Sequence, residues 1–200
     1  MKWFWKQLVI FVLWTSFLYI GYQLTNRYQI FSMHLMPQIL GEENIPFLVW
    51  TVLPYLLLID LMYLPIFIND RLLFKQALIA LTIGVLINYC VFIFYPTSIM
   101  RPPPPINEGF VNGVYHWLLS IDTPANCFPS GHITSPSIGC WFFAKAYPKT
   151  KWGLLSLLII LYLVVLTTKQ HYILDILGGL STGYLGIYCS KKLIKEPELK

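Results

Sequence analysis

The chain has 200 residues, of which 56% are hydrophobic and 12% charged, and its formal net charge is +5. The apolar residues occur in runs of fifteen or more, which is typical of a polytopic membrane protein and excludes an ordinary soluble domain. The four cysteines show no CxxC or Cys/His metal spacing, and the sequence has no internal repeat. We therefore treat residues 1–200 as a single membrane domain.

The apolar runs predict an all-α fold with six transmembrane helices. Several runs lie near the lower limit of about 17 residues for crossing the hydrocarbon core, which favours short, tightly packed helices. A secretory signal is an alternative interpretation of the first run, but that run lacks a small-x-small cleavage site and is too long. The predicted spans are residues 5–22, 45–68, 78–95, 132–147, 152–168 and 172–188.

The basic residues indicate how these spans are oriented. If both termini are cytoplasmic, eleven lysines and arginines fall on the inner side, and only Arg27, Arg101 and Lys169 fall on the outer side. This asymmetry also explains the positive net charge by contact with anionic lipid heads, so nucleic-acid binding is not needed. We predict a multi-pass protein of the plasma (inner) membrane.

A long outer loop, residues 97–130, follows the third predicted span and contains the first candidate functional residue. At its start, "YPTSIMRPPPP" places four prolines directly after Arg101, and these enforce polyproline II geometry. A stiff backbone would hold the guanidinium where it can clamp two phosphate oxygens. The alternative is a structural brace beside an arginine that reaches lipid phosphate.

The same loop ends in "NCFPSGHITSPS", residues 126–137, where the fourth span begins. Backbone N–H groups around Ser130 and Gly131, at a helix start, would form an anion-binding nest. His132 follows them directly. One stripe of this span has small residues, and we expect it to press against glycines of the sixth span; the stripe consists of His132, Ser135, Pro136 and Gly139.

The segment "TTKQHYILDILGG" joins the fifth and sixth spans and places His171 and Asp175 four residues apart, on one helix face. The carboxylate can accept from one imidazole nitrogen and leave the other basic, which is half of a catalytic relay. The alternative is a buried polar pair that helps two helices associate beside Gly179 and Gly183. Because ionisable groups inside a span are costly, a functional role is favoured.

These candidates meet at the predicted outer surface and suit an anionic ester. His171, oriented by Asp175, would attack phosphorus, and His132 would protonate the leaving alkoxide. Lys169 is the only predicted outward lysine and can supply a second phosphate counter-charge, unless it only marks the end of a span. The mechanism needs no metal or cofactor, whereas a metal site would leave Arg101 unexplained.

"MRPPP", "FPSGH" and "KQHYILD" resemble the three signature motifs of the type-2 phosphatidic acid phosphatase superfamily. They lie at about residues 94–105, 126–132 and 169–175, in the second half of the chain. The resemblance implies six spans and a metal-independent phosphohistidine mechanism at the outer membrane surface. It also implies the residue roles: His171 as nucleophile, Asp175 as its orienter, His132 as general acid, and Arg101, Ser130 and Gly131 on the phosphate.

Two departures from the family pattern concern phosphate-binding cations. Phe94 stands where the first family motif has lysine, and Val164 and Val165 stand where the third has Ser-Arg. A branch that includes inositol phosphorylceramide synthase-like proteins resembles this chain in its early Pro-Thr, its Arg-Pro and an asparagine before Pro-Ser. The phosphoryl acceptor, water or a lipid hydroxyl, therefore stays open.

The predicted function is hydrolysis of a lipid phosphate or diphosphate monoester. The alternative is transfer of the phosphoryl or phospho-head group to a hydroxyl. Two other classes remain: a Ser-His hydrolase that uses Ser130, and a transporter or non-catalytic homologue, for which Asp60 is the candidate ion-site residue. The expected partners are a lipid phosphate and membrane lipids, without nucleic acid or an obligate protein partner.

Overall fold

The computed structural model describes residues 2–39, 41–106 and 109–194, and this part of the chain is mostly helical. Two short parallel strands and four 3-10 segments accompany the α-helices. The α-helices are α1 Lys2–Arg27, α2 Val52–Ile59, α3 Arg71–Phe94, α4 Phe110–Ile121, α5 Gly131–Ala146, α6 Lys151–Thr167 and α7 Ile173–Leu193. The strands are β1 His34–Leu35 and β2 Thr97–Ser98, and the 3-10 segments are Glu42–Asn44, Val49–Thr51, Asp60–Phe67 and Pro148–Thr150.

Four helical segments among the described residues are long and apolar enough to cross a membrane: Trp3–Arg27, Val49–Phe67, Arg71–Phe94 and Pro148–Thr167. The predicted fourth and sixth spans correspond to α5 and α7, which are not among them. With 16 residues, α5 is about 24 Å long, shorter than a hydrocarbon core of about 30 Å. Charged residues lie at both ends of α7. Six spans and cytoplasmic termini stay predictions.

Three features correct the sequence prediction. The second span is not one continuous α-helix, because α2 gives way to the 3-10 segment Asp60–Phe67, in which Pro65 cannot donate a backbone hydrogen bond. The outer loop contains an extra helix, α4, which buries Tyr115 and Leu118. The all-α class is also incomplete, since β1 and β2 pair residues 34–35 with residues 97–98 in a small parallel sheet.

The centre of the fold is α5, which packs against α3, α6, α7 and the 3-10 segment Asp60–Phe67. The sequence analysis placed the small-residue stripe of α5 against α7, and this prediction is wrong by about one residue around the helix. A Cβ on Gly139 would lie 2.5 Å from the Leu61 carbonyl oxygen, so this glycine faces the second span. A Cβ on Gly179 of α7 would lie 2.6 Å from the Ser130 carbonyl oxygen. The neighbouring stripe of α5 therefore makes the α7 contact.

Candidate active site

Two histidines meet where α5 and α7 begin. His132 Nδ1 lies 3.2 Å from His171 Nε2, and His171 Nδ1 lies 3.3 Å from Asp175 Oδ2. His171 is 5% exposed and Asp175 is fully buried. The structure thus joins three sequence-predicted residues, 39 and 4 positions apart, into one continuous hydrogen-bonded relay.

The relay fixes the ring tautomers when Asp175 is ionised. A carboxylate only accepts hydrogen bonds, so His171 Nδ1 donates to it and His171 Nε2 keeps its lone pair. His132 Nδ1 must then donate to that lone pair. The arrangement keeps a nucleophilic nitrogen beside a nitrogen that carries a proton, the pairing that phosphoryl transfer to a histidine requires.

Backbone contacts hold the two helix starts together. The Ser130 N–H donates to the Asp175 carbonyl at 3.0 Å, and the Tyr172 N–H donates to Asp175 Oδ2 at 2.8 Å. The latter contact is half of a capping box at the start of α7. The close approach depends on Gly179, which leaves room for the Ser130 carbonyl. Asp175 therefore orients His171 and also fixes the start of α5.

Buried polar atoms without a partner in the described structure cluster around the relay. They include Ser130 Oγ, Arg101 Nε, Asp175 Oδ1 and Tyr55 Oη. Each such atom costs about 1–3 kcal/mol when it is left unpaired. Ser130 also makes no side-chain cap to α5, so its hydroxyl is available to another group. These atoms fit a site that receives a polar ligand with several oxygens.

Arg101 is held by Asp122, which the sequence analysis did not single out. Arg101 Nη2 lies 3.0 Å from Asp122 Oδ2, and Nη1 donates to the Asp122 carbonyl at 2.6 Å. The Tyr22 hydroxyl donates to the other carboxylate oxygen. The Arg101 side chain is only 9% exposed. A buried arginine needs a carboxylate, but no spacing in the sequence connects Arg101 to Asp122, which directly follows α4.

A cavity of about 330 Å³ opens beside the relay. This volume lies at the small end of the range for ligand pockets, roughly 300–1,000 Å³. Ser135 and Pro136, from the stripe expected to pack on α7, line it instead. Its polar lining includes His132, His171, Asp122, Tyr55, Asn88 and Asp60. Asp60 of the second span thus shares one cavity with the histidines.

Lys169 contacts a different part of the chain. Its Nζ donates to the Ile45 carbonyl at 2.6 Å and lies 3.4 Å from the Glu42 carbonyl. Burial lowers the pKa of Lys169 below its ordinary value, and nearby Glu42 opposes that shift. No hydrogen bond or ion pair within the described residues joins Lys169 to the relay or to Arg101. Its predicted phosphate role stays a prediction.

The residues that resemble the inositol phosphorylceramide synthase-like branch shape the loop before α5. Thr97 Oγ1 accepts from the Phe128 N–H at 2.9 Å, which ties β2 to the Pro-Ser-Gly-His segment. Asn126 has a positive φ of 57°, a left-handed conformation that asparagine tolerates better than most residues. These two residues position the loop and do not enter the relay.

Across the described ranges, no group of three or more His, Cys, Asp or Glu side chains is arranged to hold a metal ion. The chain matches no family model, no curated protein and no solved structure. The case for a function therefore rests on the residues of the site.

Proposed function

We propose that this protein is a membrane lipid phosphatase of the type-2 phosphatidic acid phosphatase superfamily, which forms a phosphohistidine on His171. One observation carries the proposal. The relay of His132, His171 and Asp175 lies next to two unpaired buried donors, Ser130 Oγ and Arg101 Nε. A nucleophile, a proton donor, an orienting carboxylate and phosphate-type donors are the groups that this chemistry needs.

In the first step, His171 Nε2 attacks the phosphorus of the lipid phosphate. The bond between phosphorus and the lipid oxygen breaks as the new phosphorus–nitrogen bond forms. His132 enters this step as an imidazolium, passes one proton to the leaving oxygen and becomes a neutral imidazole, and the lipid departs as an alcohol. Asp175 stabilises the positive charge that develops on His171. The 3.2 Å contact between the two histidines must open for this step, because the phosphate enters between them.

In the second step, water attacks the phosphohistidine. His132 accepts a proton from the water, the phosphorus–nitrogen bond breaks, and inorganic phosphate leaves. Both histidines return to their starting protonation states. Arg101 and Ser130 bind the phosphate oxygens in both steps, and Asp122 holds the guanidinium through its two Nη atoms so that the Nε edge stays available.

The cavity supports a lipid as the substrate. Its polar lining surrounds the histidines, and its remaining lining includes Trp14, Leu18 and Phe92 from α1 and α3. These apolar side chains suit the first carbons of a lipid tail next to a charged head. The predicted outer orientation of this end of the molecule follows from the basic asymmetry of the sequence.

A second candidate, head-group transfer to a hydroxyl acceptor, is favoured by the charge at the site. A phosphate monoester carries nearly two negative charges at pH 7, whereas a phosphodiester carries one. Arg101 is already paired with Asp122, and Lys169 binds loop carbonyls. One partly neutralised cation suits a phosphodiester lipid better than a monoester. The nucleophile and acid would keep the same roles.

The deciding experiment uses the purified chain in detergent with a panel of lipids. Phosphatidate, phosphatidylglycerophosphate, a polyprenyl diphosphate and a lipid A phosphate test hydrolysis, and a phospholipid with a diacylglycerol or ceramide acceptor tests transfer. Phosphate release and product mass spectrometry provide the readouts. His171→Ala should abolish turnover, vanadate should inhibit it, and a strong chelator should not.

Phosphate release supports the phosphatase, and a new phospholipid without phosphate release supports head-group transfer. Loss of activity with chelator and rescue by zinc would contradict the phosphohistidine mechanism. So would full activity of His171→Ala. Absence of both activities with every lipid would favour a transporter or a non-catalytic homologue.

A further inference from the structure

The cavity beside the relay extends from the histidines along the second span. Tyr55 of α2 lies at the histidine end, where its ring centroid is 5.6 Å from that of His132. Asp60 follows Tyr55 by five residues and lines the same cavity, about 7.5 Å further along the helix axis. The carbonyl of the next residue, Leu61, faces Gly139, which lies half-way along α5. Asp60 therefore lies at the end of the cavity away from the histidines.

This end of the cavity, which we name the Asp60 pocket, consists of Asp60, Tyr63 and Trp14. Residues three apart in a 3-10 helix lie one above the other, so Asp60 and Tyr63 share one face of the segment Asp60–Phe67. The rings of Tyr63 and Trp14 both pack on Phe11, with centroid distances of 5.7 and 5.5 Å. The pocket thus combines a carboxylate with two neighbouring aromatic rings, a combination that favours a cationic group.

Asp60 has no counter-charge in the part of the chain that the structure describes. The ion pairs there join Arg101 to Asp122 and His171 to Asp175. Asp122 also lines the cavity, but Arg101 already neutralises it. An ionised carboxylate inside a span is costly unless it is paired. A cationic group of a ligand would supply the partner that Asp60 lacks.

Two neutral side chains of the same cavity also lack partners. Tyr55 and Asn88 are 0% and 1% exposed, and Tyr55 Oη and Asn88 Oδ1 make no hydrogen bond among the described residues. The Asn88 amide nitrogen donates to Thr134 Oγ1 at 3.1 Å, so Oδ1 remains as an acceptor. A primary ammonium group has three donors, which suits a cavity that offers a carboxylate and further acceptors.

The cavity therefore has opposite charge preferences at its two ends. The proposed phosphate donors, Arg101 and Ser130, lie beside the histidines, and the carboxylate of Asp60 lies at the other end. A ligand with a phosphate and an ammonium group joined by a short carbon spacer has the complementary pattern. A lipid phosphate without an amine would leave Asp60 unpaired.

We infer that the cavity selects lipid phosphates that carry a primary ammonium group two carbons from a phosphate oxygen, and that Asp60 binds this group. The inference rests on the proposed function, which places the phosphate at the relay. Two kinds of lipid share this chemistry. Phosphatidylethanolamine carries the amine in its head group, and a sphingoid base 1-phosphate carries it in its backbone. Asp60 determines specificity and takes no part in phosphoryl transfer.

Native mass spectrometry of the full chain in detergent tests the inference with two matched pairs of lipids. Dioleoyl phosphatidylethanolamine is compared with dioleoyl phosphatidylethanol, which lacks the amine. Sphingosine 1-phosphate is compared with ceramide 1-phosphate, in which the amine is acylated and uncharged. In at least one pair, the native chain should bind the amine lipid with a Kd roughly tenfold lower than that of its partner. A preference in one pair alone identifies the source of the ammonium group.

Variants of Asp60 assign the preference to its charge. Asp60→Asn should raise the Kd of the amine lipid roughly tenfold and leave the Kd of its partner unchanged. Asp60→Glu keeps the charge and should retain most of the preference. Glu43→Gln is the matched control, because it removes an exposed carboxylate outside the cavity and should change neither Kd. Melting temperatures of all variants verify that they are folded.

Equal Kd values within both pairs would overturn the inference, as would a preference that survives in Asp60→Asn. Lipid retention is measured without turnover, so either result would leave the phosphohistidine mechanism untouched. A native chain that prefers the amine lipids but turns over no lipid would contradict the proposed function and keep Asp60 as an ammonium site.

Discussion

Asp175→Asn removes one negative charge next to His171 and hardly changes the shape of the side chain. The carboxylate is fully buried, 3.3 Å from His171 Nδ1 and 2.8 Å from the Tyr172 nitrogen. The amide oxygen of asparagine can still accept from Tyr172. The same oxygen position also faces His171 Nδ1, so this orientation holds His171 without the negative charge. In the other orientation the amide nitrogen faces His171 Nδ1, the Tyr172 contact is lost, and the tautomer in which Nε2 is protonated and cannot attack is stabilised.

The expected loss follows from the contact to His171. A hydrogen bond to a charged group contributes about 1.5–3 kcal/mol, and about 1.4 kcal/mol of activation free energy corresponds to a tenfold change in rate. Removal of this contact alone should lower kcat about 10- to 100-fold, and the wrong tautomer lowers it further. KM should change little, because Asp175 does not line the cavity.

The assay measures kcat and KM for the lipid that the native chain turns over fastest, together with the melting temperature. Asp70→Asn is the matched control, since Asp70 caps α3 with hydrogen bonds to the Leu72 and Leu73 nitrogens at 2.8 and 2.9 Å. It loses the same charge at a helix start far from the relay, and its kcat should stay within about twofold of native. If Asp175→Asn kept kcat within about threefold of native, the relay would not be catalytic.

Four further substitutions test the site, the packing and the orientation. Gly131→Ala adds a methyl whose nearest neighbour is 3.9 Å away, so the free energy of unfolding should change by less than about 1 kcal/mol. The methyl would occupy the space of the phosphate, so kcat/KM should fall roughly tenfold. Unchanged turnover would remove Gly131 from the phosphate site. Gly179→Ala should lower the free energy of unfolding by about 1–3 kcal/mol, measured by thermal melts. Gly153→Ala is the control, because no atom lies within 4 Å of its new Cβ. Equal melting temperatures of the two variants would contradict the close contact at Gly179. In a chain with its native cysteines replaced by serine, an impermeant maleimide should label Gly113→Cys but not Gly153→Cys in intact cells, and the reverse result would invert the orientation. Lys169→Met removes the contacts to two loop carbonyls, so it should lower the melting temperature and change kcat/KM by less than about threefold. A roughly 100-fold fall in kcat/KM at an unchanged melting temperature would instead assign the Lys169 ammonium to the phosphate.

The relay could be predicted because each of its residues belongs to a short sequence motif. His171 and Asp175 are four residues apart, but they do not share a helix face as predicted, because His171 lies before Tyr172, the N-cap of α7. Asp175 in the first turn of α7 reaches back to His171, and the short separation along the chain keeps the two groups close. His132 follows a Ser-Gly turn at a helix start, a signal of the same local kind. The meeting of the two histidines needed only the assumption that two small-residue helices pack together. The register of that packing was wrong, because the stripe of α5 that meets α7 depends on long-range contacts.

The partners of Arg101 and Lys169 could not be predicted in the same way. Arg101 pairs with Asp122, 21 residues later, and Asp122 also receives a hydrogen bond from Tyr22, 100 residues earlier in the chain. Lys169 binds the carbonyl of Ile45, 124 residues earlier. Neither pairing has a periodicity or spacing that reveals it. The hydropathy pattern located the apolar runs, but the helices that carry the site are less apolar than an isolated span, because they must also hold polar groups and close glycine contacts.

Glu42 connects the segment between α1 and α2 to the candidate site. Its carboxylate accepts from the nitrogens of Ile39 and Ile173, the latter being the first residue of α7, and its carbonyl lies next to Lys169. Together with Tyr22, it makes the first half a structural component of a site whose recognisable motifs all lie in the second. A fragment from Asp70 onward would still carry every motif while missing Tyr22, which contacts Asp122, and Glu42, which accepts from the first residue of α7. Motif content is therefore a poor guide to activity in fragments, chimaeras or truncated reading frames of this protein, which has to be handled as two interdependent halves.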